Sequence, residues 1–218
     1  MLFILAGCEQ TPEPTSVEVV GTLNGASADG ETKAAADEPT AESEPLTEPA
    51  PAIATKDVVV DVSAFWDAAL DGEIETVRQA IEGGVDVNSM DEQQRSALLL
   101  ASFNGHTSVV KLLLDQDARL GHRDAMGRTA LMFASTGSNA ETVELLLDAG
   151  AEINAVDTGE GFTALMHAAA EGQVEVVQIF LKYKADPAIR DVDGDTARDF
   201  ASQNRHSEVV KLLTTGFE

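Results

Sequence analysis

Apolar residues recur along this chain on two nested periods. In the block beginning at Asp124, Leu131, Ala134 and Ser135 lie at i, i+3 and i+4, which places them on one face of a helix. Val143, Leu146 and Leu147 repeat that spacing further on. Thr129 stands where a hydroxyl can accept from a free amide of the first turn, and Asn139 holds the same place before the second segment. Gly150 ends the second segment, because glycine readily takes the left-handed conformation that stops helices. Ala151 to Asn154 then runs extended towards a turn at Asp157. The pattern predicts helix, turn, helix and an extended link to the next block.

The larger period is 33 residues. DEQQRSALLLASFNGHTSVVKLLLDQDARLGHR (91–123), DAMGRTALMFASTGSNAETVELLLDAGAEINAV (124–156) and DTGEGFTALMHAAAEGQVEVVQIFLKYKADPAIR (157–190) are three copies, the last one residue longer at DTGEGF. Counting back gives a copy at 58–90, with Ala68-Ala69 in register with Ala101-Ser102. Counting forward gives a truncated fifth at 191–218, with Ala201 and Val209-Val210 in register with Ala101 and Val109-Val110. A period of this size marks a solenoid, in which each unit buries its apolar face only against its neighbours.

The residues G-x-T-A-L-x-x-A-A-x-x-G, then E-V-V-x-x-L-L, then G-A-x-x-N resemble the ankyrin repeat over 58–218. The resemblance implies an all-α solenoid of about five helix-turn-helix repeats with β-turn fingers. It also implies a protein partner, held on the concave surface of first helices and fingers. The sequence departs from the family pattern in places. The usual proline after the threonine is Ala97, Ala130, Ala164 and Ala197, and the usual histidine two residues on is Leu99, Met132, Met166 and Asp199. The family's threonine–histidine hydrogen bonding is therefore absent, and methionine packing is expected in its place. Arg198 stands at a core-leucine position, as suits a terminal repeat with a polar outer face, and Phe65 and Trp66 are expected to close the other end.

Composition changes the picture mainly at the N-terminus. Residues 9–57 hold six of the seven prolines, no aromatic residue, eleven acids and two bases. Such a stretch buries too little apolar surface to offset its ordering entropy and reads as a disordered acidic tether. Its forty-nine residues would reach roughly 35–42 Å as a flexible chain. Before it, residues 1–8 end in Leu5-Ala6-Gly7-Cys8, which resembles a bacterial lipobox. That resemblance implies cleavage before Cys8, diacylglyceryl attachment to its sulfur and a lipid anchor in the envelope. Only seven residues precede Cys8, none of them basic, so a complete secretory signal would need more chain upstream. Glu9 after the cysteine favours the outer over the inner membrane by the same resemblance, with the domain facing the periplasm. Without a working signal, the chain would be a cytoplasmic scaffold.

The net charge of −24 disfavours nucleic acid and anionic lipid as partners, so membrane contact is expected only through the anchor. The copies at 58–218 hold twenty-seven acids and twelve bases. With one cysteine there is no internal disulfide. His106, His122, His167 and His206 fall at three register positions in different copies, and His106 and His206 read as capping or inter-repeat contacts. Asp191-Val192-Asp193-Gly194-Asp195 lacks the downstream glutamate of a calcium loop and reads as an ordinary repeat turn. No phosphate loop or Ser/His/Asp set stands out, and no metal, cofactor or catalytic residue is expected.

Helix geometry points to the interaction surface. Residues two after the core leucine of each first helix, with their i+3 and i+4 neighbours, form a second face. It comprises Leu100, Phe103 and Asn104; Phe133 and Thr136; His167, Ala170 and Glu171; and Phe200, Gln203 and Asn204. Finger residues add Arg95, Met126, Arg128, Glu160 and Phe162. The partner-binding set selected is Arg95, Phe103, Asn104, Met126, Arg128, Phe133, Phe162, His167 and Glu171, with Cys8 for lipidation, because aromatic and Arg side chains anchor protein interfaces. The expectation is a monomeric, non-enzymatic interaction module. A periplasmic immunity factor for a toxin or enzyme is an alternative, and an ankyrin-scaffolded hydrolase a remote one.

Overall fold

The computed structural model describes residues 61–215; Cys8, the lipobox and the tether lie outside them. Among the described residues are ten α-helices: α1 (Val62–Asp71), α2 (Ile74–Glu82), α3 (Ala97–Phe103), α4 (Thr107–Asp115), α5 (Ala130–Ser135), α6 (Ala140–Asp148), α7 (Ala164–Ala170), α8 (Val174–Lys182), α9 (Ala197–Gln203) and α10 (Ser207–Thr215). Each copy supplies one odd and one even helix. Odd helices pack on odd neighbours, even on even, and each pair packs on itself, so the fold is an all-α solenoid.

The core is the repeat pattern made physical. Phe65, Leu98, Leu131 and Leu165 hold one register in successive first helices and are sealed from solvent. Beside them Ala68-Ala69, Ala101-Ser102, Ala134-Ser135 and Ala168-Ala169 are buried, and their small side chains let neighbouring helices approach closely. The two buried serines do not leave polar atoms stranded, since Ser102 Oγ donates to the Leu98 carbonyl at 2.7 Å and Ser135 Oγ to that of Leu131 at 2.5 Å. At the ends the pattern opens: Arg198 is exposed at the leucine register, and Val209 is the sole buried residue of α10. Phe65 is fully buried, whereas Trp66 is half-buried and donates from Nε1 to Ser89 Oγ at 3.3 Å.

The first helices are closed by a variant capping box. Thr129 and Thr163 accept from the amides of Met132 and Met166, whose sulfurs in turn accept the amides of Thr129 and Thr163 at 3.5 and 3.4 Å. Methionine therefore does more than pack at the family's histidine position: its thioether is the acceptor. In the last copy Asp199 Oδ2 takes that role, accepting from both the amide and the hydroxyl of Thr196 at 2.9 and 2.6 Å. These hydrogen bonds, the Thr196 hydroxyl first, hold the Asp199 carboxyl below its ordinary pKa.

Contacts between copies run through the ends of the helices. Asn104 Nδ2 and His106 Nε2 both meet the Leu70 carbonyl at the end of α1, at 2.7 and 2.9 Å. Asn204 and His206 repeat the arrangement on the Ala170 carbonyl at the end of α7, at 2.9 and 3.0 Å. The shared register of the two histidines thus reflects an inter-repeat clamp. Asn139 does not cap α6 as its position predicts; its Nδ2 reaches back to the Phe103 carbonyl at 3.1 Å. The unfilled carbonyls that end the preceding first helix are the better use for that amide.

The fingers join edge to edge. Ala125 N donates to Gln93 O, Thr158 N to Met126 O and Val192 N to Glu160 O, at 3.0–3.1 Å. Each finger is built on its leading aspartate, whose Oδ1 gathers amides of the turn. Asp91, Asp124 and Asp191 each collect the amides two and four residues on. In the longer copy Asp157 Oδ1 collects four, from Gly159, Glu160, Gly161 and Phe162. The turn widens to absorb the extra residue, and pairing resumes with Asp157 N on Phe162 O where the others pair with Arg95, Arg128 and Asp195.

Candidate interaction surface

That widened turn puts Phe162 at the register held by Arg95 and Arg128. In the earlier fingers the arginine is held by its own aspartate: Arg95 Nε lies 2.7 Å from Asp91, and an Arg128 Nη 2.6 Å from the buried Asp124. The D-x-x-x-R spacing carried this signal in the sequence, and it was missed there. Both arginines are therefore charge-neutralised building blocks of the fingers, with only part of each side chain left to a partner.

Finger residues lie over the outward face of the first helices. The Arg128 guanidinium sits 4.5 Å from the Phe133 ring centre, a cation–π contact. Phe133 meets Phe103 edge to face at 6.0 Å. One copy further on, Phe162 packs edge to face on His167 at 5.6 Å and on Phe200 at 5.1 Å. The result is an aromatic ridge in two clusters, one over α3 and α5 and one over α7 and α9. Phe103 is 46% exposed and Met126 52%, while Phe133, Phe162 and Phe200 are half-buried among their neighbours. Phe200, left out of the selected set, joins the second cluster.

His167 is half-buried, and its Nε2 is sealed from solvent with no hydrogen-bond partner. Burial pushes its pKa below the ordinary histidine value; Asp157 opposes that shift and Arg128 adds to it. The ring is therefore neutral and packs as an aromatic group. Asn104 is exposed, but its amide is spent on the Leu70 carbonyl, so its role is structural. Glu171 is exposed at the end of α7. Met90, Val156 and Val192 are further exposed apolar side chains on the links and fingers, which the helical-face pattern does not reach. Among the described residues, no group of three or more His, Cys, Asp or Glu is placed to hold a metal ion. No helix there is long and apolar enough to cross a membrane.

A family model described as "Ankyrin repeats (3 copies)" matches residues 65–157 and again 139–218. The chain belongs to the ankyrin-repeat family. A curated relative, "Ankyrin repeat protein nuc-2" of Neurospora crassa, is 41% identical over 64 residues, which is 29% of this chain. The matched stretch is 6% of that protein's length, so the likeness is one of repeats and not of whole proteins. Ankyrin repeats suggest a protein–protein interaction module without an enzymatic activity. The departures noted above are then variations on one architecture: Met132, Met166 and Asp199 supply the capping acceptor in turn.

Proposed function

We propose that this chain is a non-catalytic module that engages a protein partner with the face formed by its first helices and fingers. One observation carries the reading. Aromatic side chains occupy outward positions in successive copies, in contact within two clusters, with Phe103 and Met126 left about half exposed. Packing inside the stack does not require a large apolar group at the Phe103 position, since the same register in later copies holds Thr136, Ala170 and Gln203. Exposed aromatic and Met side chains rimmed by polar residues are the composition of interface anchors.

The lipobox supports a further part of the proposal: attachment to a bacterial envelope through Cys8, with the domain facing the periplasm. The protein is a monomer in this reading, and the acidic residues 9–57 link Cys8 to the repeat domain.

Two experiments test these parts separately. Full-length protein and its Phe103→Asp plus Met126→Asp variant serve as baits in envelope extracts, with circular dichroism confirming that both fold. Loss of the same captured proteins from the variant is expected; equal capture at equal strength rejects the face. Metabolic labelling with a fatty-acid probe is expected to mark the wild type and not Cys8→Ser. Equal labelling of the two rejects the anchor.

A further inference from the structure

The aromatic ridge has a predominantly anionic rim. Asp67 holds in α1 the outward register of Phe133, His167 and Phe200, and Asp71 that of Glu171. Glu92, Glu160 and Asp193 stand on the fingers. All six carboxylates are exposed, and none of them makes an ion pair. Among the cations at the fingers, Arg95 and Arg128 are each neutralised by the aspartate of their own finger, and Arg190 is held on the Gly194 carbonyl of the last one. The surface therefore presents apolar rings within a border where, among the described residues, six unpaired carboxylates outnumber the single unpaired cation, Arg190.

We infer that the ridge takes a peptide segment of another protein in which apolar side chains alternate with lysine or arginine. The inference rests on the interaction-face reading above and adds the chemistry of the partner. Apolar side chains would cover Phe103 and the Phe162–Phe200 cluster, while the cations meet the border. The faces of the phenylalanine rings also favour cations, as Arg128 over Phe133 shows. Two other occupants are disfavoured by charge. The chain's own residues 9–57 carry eleven acids against two bases, and a second copy carries a net −24. Both would meet like charge at the rim. Packed helices are about 8–10 Å apart, so the three steps from α3 to α9 span roughly 24–30 Å. About eight extended residues cover that distance.

The test uses the full-length protein and four fluorescein-labelled twelve-residue peptides: Leu alternating with Lys, with Glu or with Ser, and Ser alternating with Lys. Fluorescence anisotropy is expected to show the Leu–Lys peptide bound at least tenfold more tightly than the other three, and more weakly as salt rises. Phe103→Asp is expected to weaken it tenfold or more, although the variant adds negative charge; Phe103→Ala should act in the same direction. Glu160→Gln, Glu171→Gln and Asp193→Asn together should weaken it several-fold and flatten the salt dependence.

The outcomes separate the two readings. If the Leu–Glu or Leu–Ser peptide binds as well as Leu–Lys and Phe103→Asp abolishes that binding, the face stands and the cationic partner is rejected. If Leu–Lys binds but ignores Phe103→Asp, or Ser–Lys binds equally well, the attraction is only between opposite net charges and the ridge is not the site. No binding of Leu–Lys rejects the inference. So does a Phe103-dependent dimer in sedimentation velocity, which would make a second copy the occupant.

Discussion

The clamp between copies 4 and 5 sets a sharp expectation for Gly172→Ala. Gly172 has φ +71°, and a Cβ built on it would lie 2.4 Å from Nδ1 and 2.7 Å from Cγ of the His206 ring. The ring cannot swing away freely, because its Nε2 is bonded to the Ala170 carbonyl at 3.0 Å. Two costs follow. The left-handed backbone is worth about 1–2 kcal/mol against a residue with Cβ. Displacing the imidazole breaks the clamp, for about a further 0.5–1.5 kcal/mol. Gly150→Ala provides the control, since Gly150 has φ +92° and nothing within 4 Å of the added atom. It bears the backbone cost alone, about 1–2 kcal/mol. Guanidinium unfolding followed by far-UV circular dichroism measures each variant. Gly172→Ala is expected to lose at least 0.5 kcal/mol more than Gly150→Ala, on the order of one lost hydrogen bond. In the background His206→Ala, which vacates the space, the cost of Gly172→Ala should fall back to that of Gly150→Ala. Equal costs for the two glycine variants in the wild type, or strict additivity in the double mutant, would refute this account of the clamp.

Tyr183 is the one tyrosine, so its ionisation can be read directly by ultraviolet absorbance. Its hydroxyl donates to Asp148 at 2.5 Å, and that hydrogen bond pushes the pKa up to about 12. Asp148→Asn should return the midpoint towards the ordinary value of 10. Because the folded value is raised, the contribution to stability is complete below about pH 10 and lost as pH climbs towards 12. Asp199 has the opposite sign: its lowered pKa means that Thr196 bonding stabilises the fold above the ordinary carboxylate range and is lost as pH falls through the folded value. Asp199→Asn should therefore lower the unfolding midpoint at neutral pH, and the gap to wild type should narrow on acidification. Ser96 is buried at the cap position where three other copies use threonine, yet its Oγ has no partner. Ser96→Thr, whose branched side chain is confined to few rotamers, is expected to raise the unfolding midpoint in the same assay.

The aromatic ridge shows how site and fold differ in legibility. Its members were readable one by one, because outward register positions follow from helix geometry and the period. Phe103 and Met126 prove exposed, while Phe133 and His167 are tucked beneath finger side chains. Asn104 has the register of a surface residue, but its amide is consumed by a carbonyl 34 positions earlier. Asn139 reads as a helix cap and serves the preceding copy instead. Both misreadings share one cause: a polar side chain between two helix ends has local and inter-repeat partners to choose from, and only the distance between copies decides.

The repeat itself lay entirely in the sequence. Five recurrences of paired small residues and valine, with leucine and glycine in three copies each at fixed spacing, leave each unit one way to bury its apolar stripe, against the next. The Thr129 cap was legible as well, since it links residues three apart. Tertiary structure alone decided that Asn104 and Asn139 bond to the preceding copy and that Phe162 joins His167 and Phe200. These outcomes depend on how the finger folds over the helix and on the spacing between neighbouring units. A one-dimensional pattern encodes the order of residues but not the distances between stacked copies.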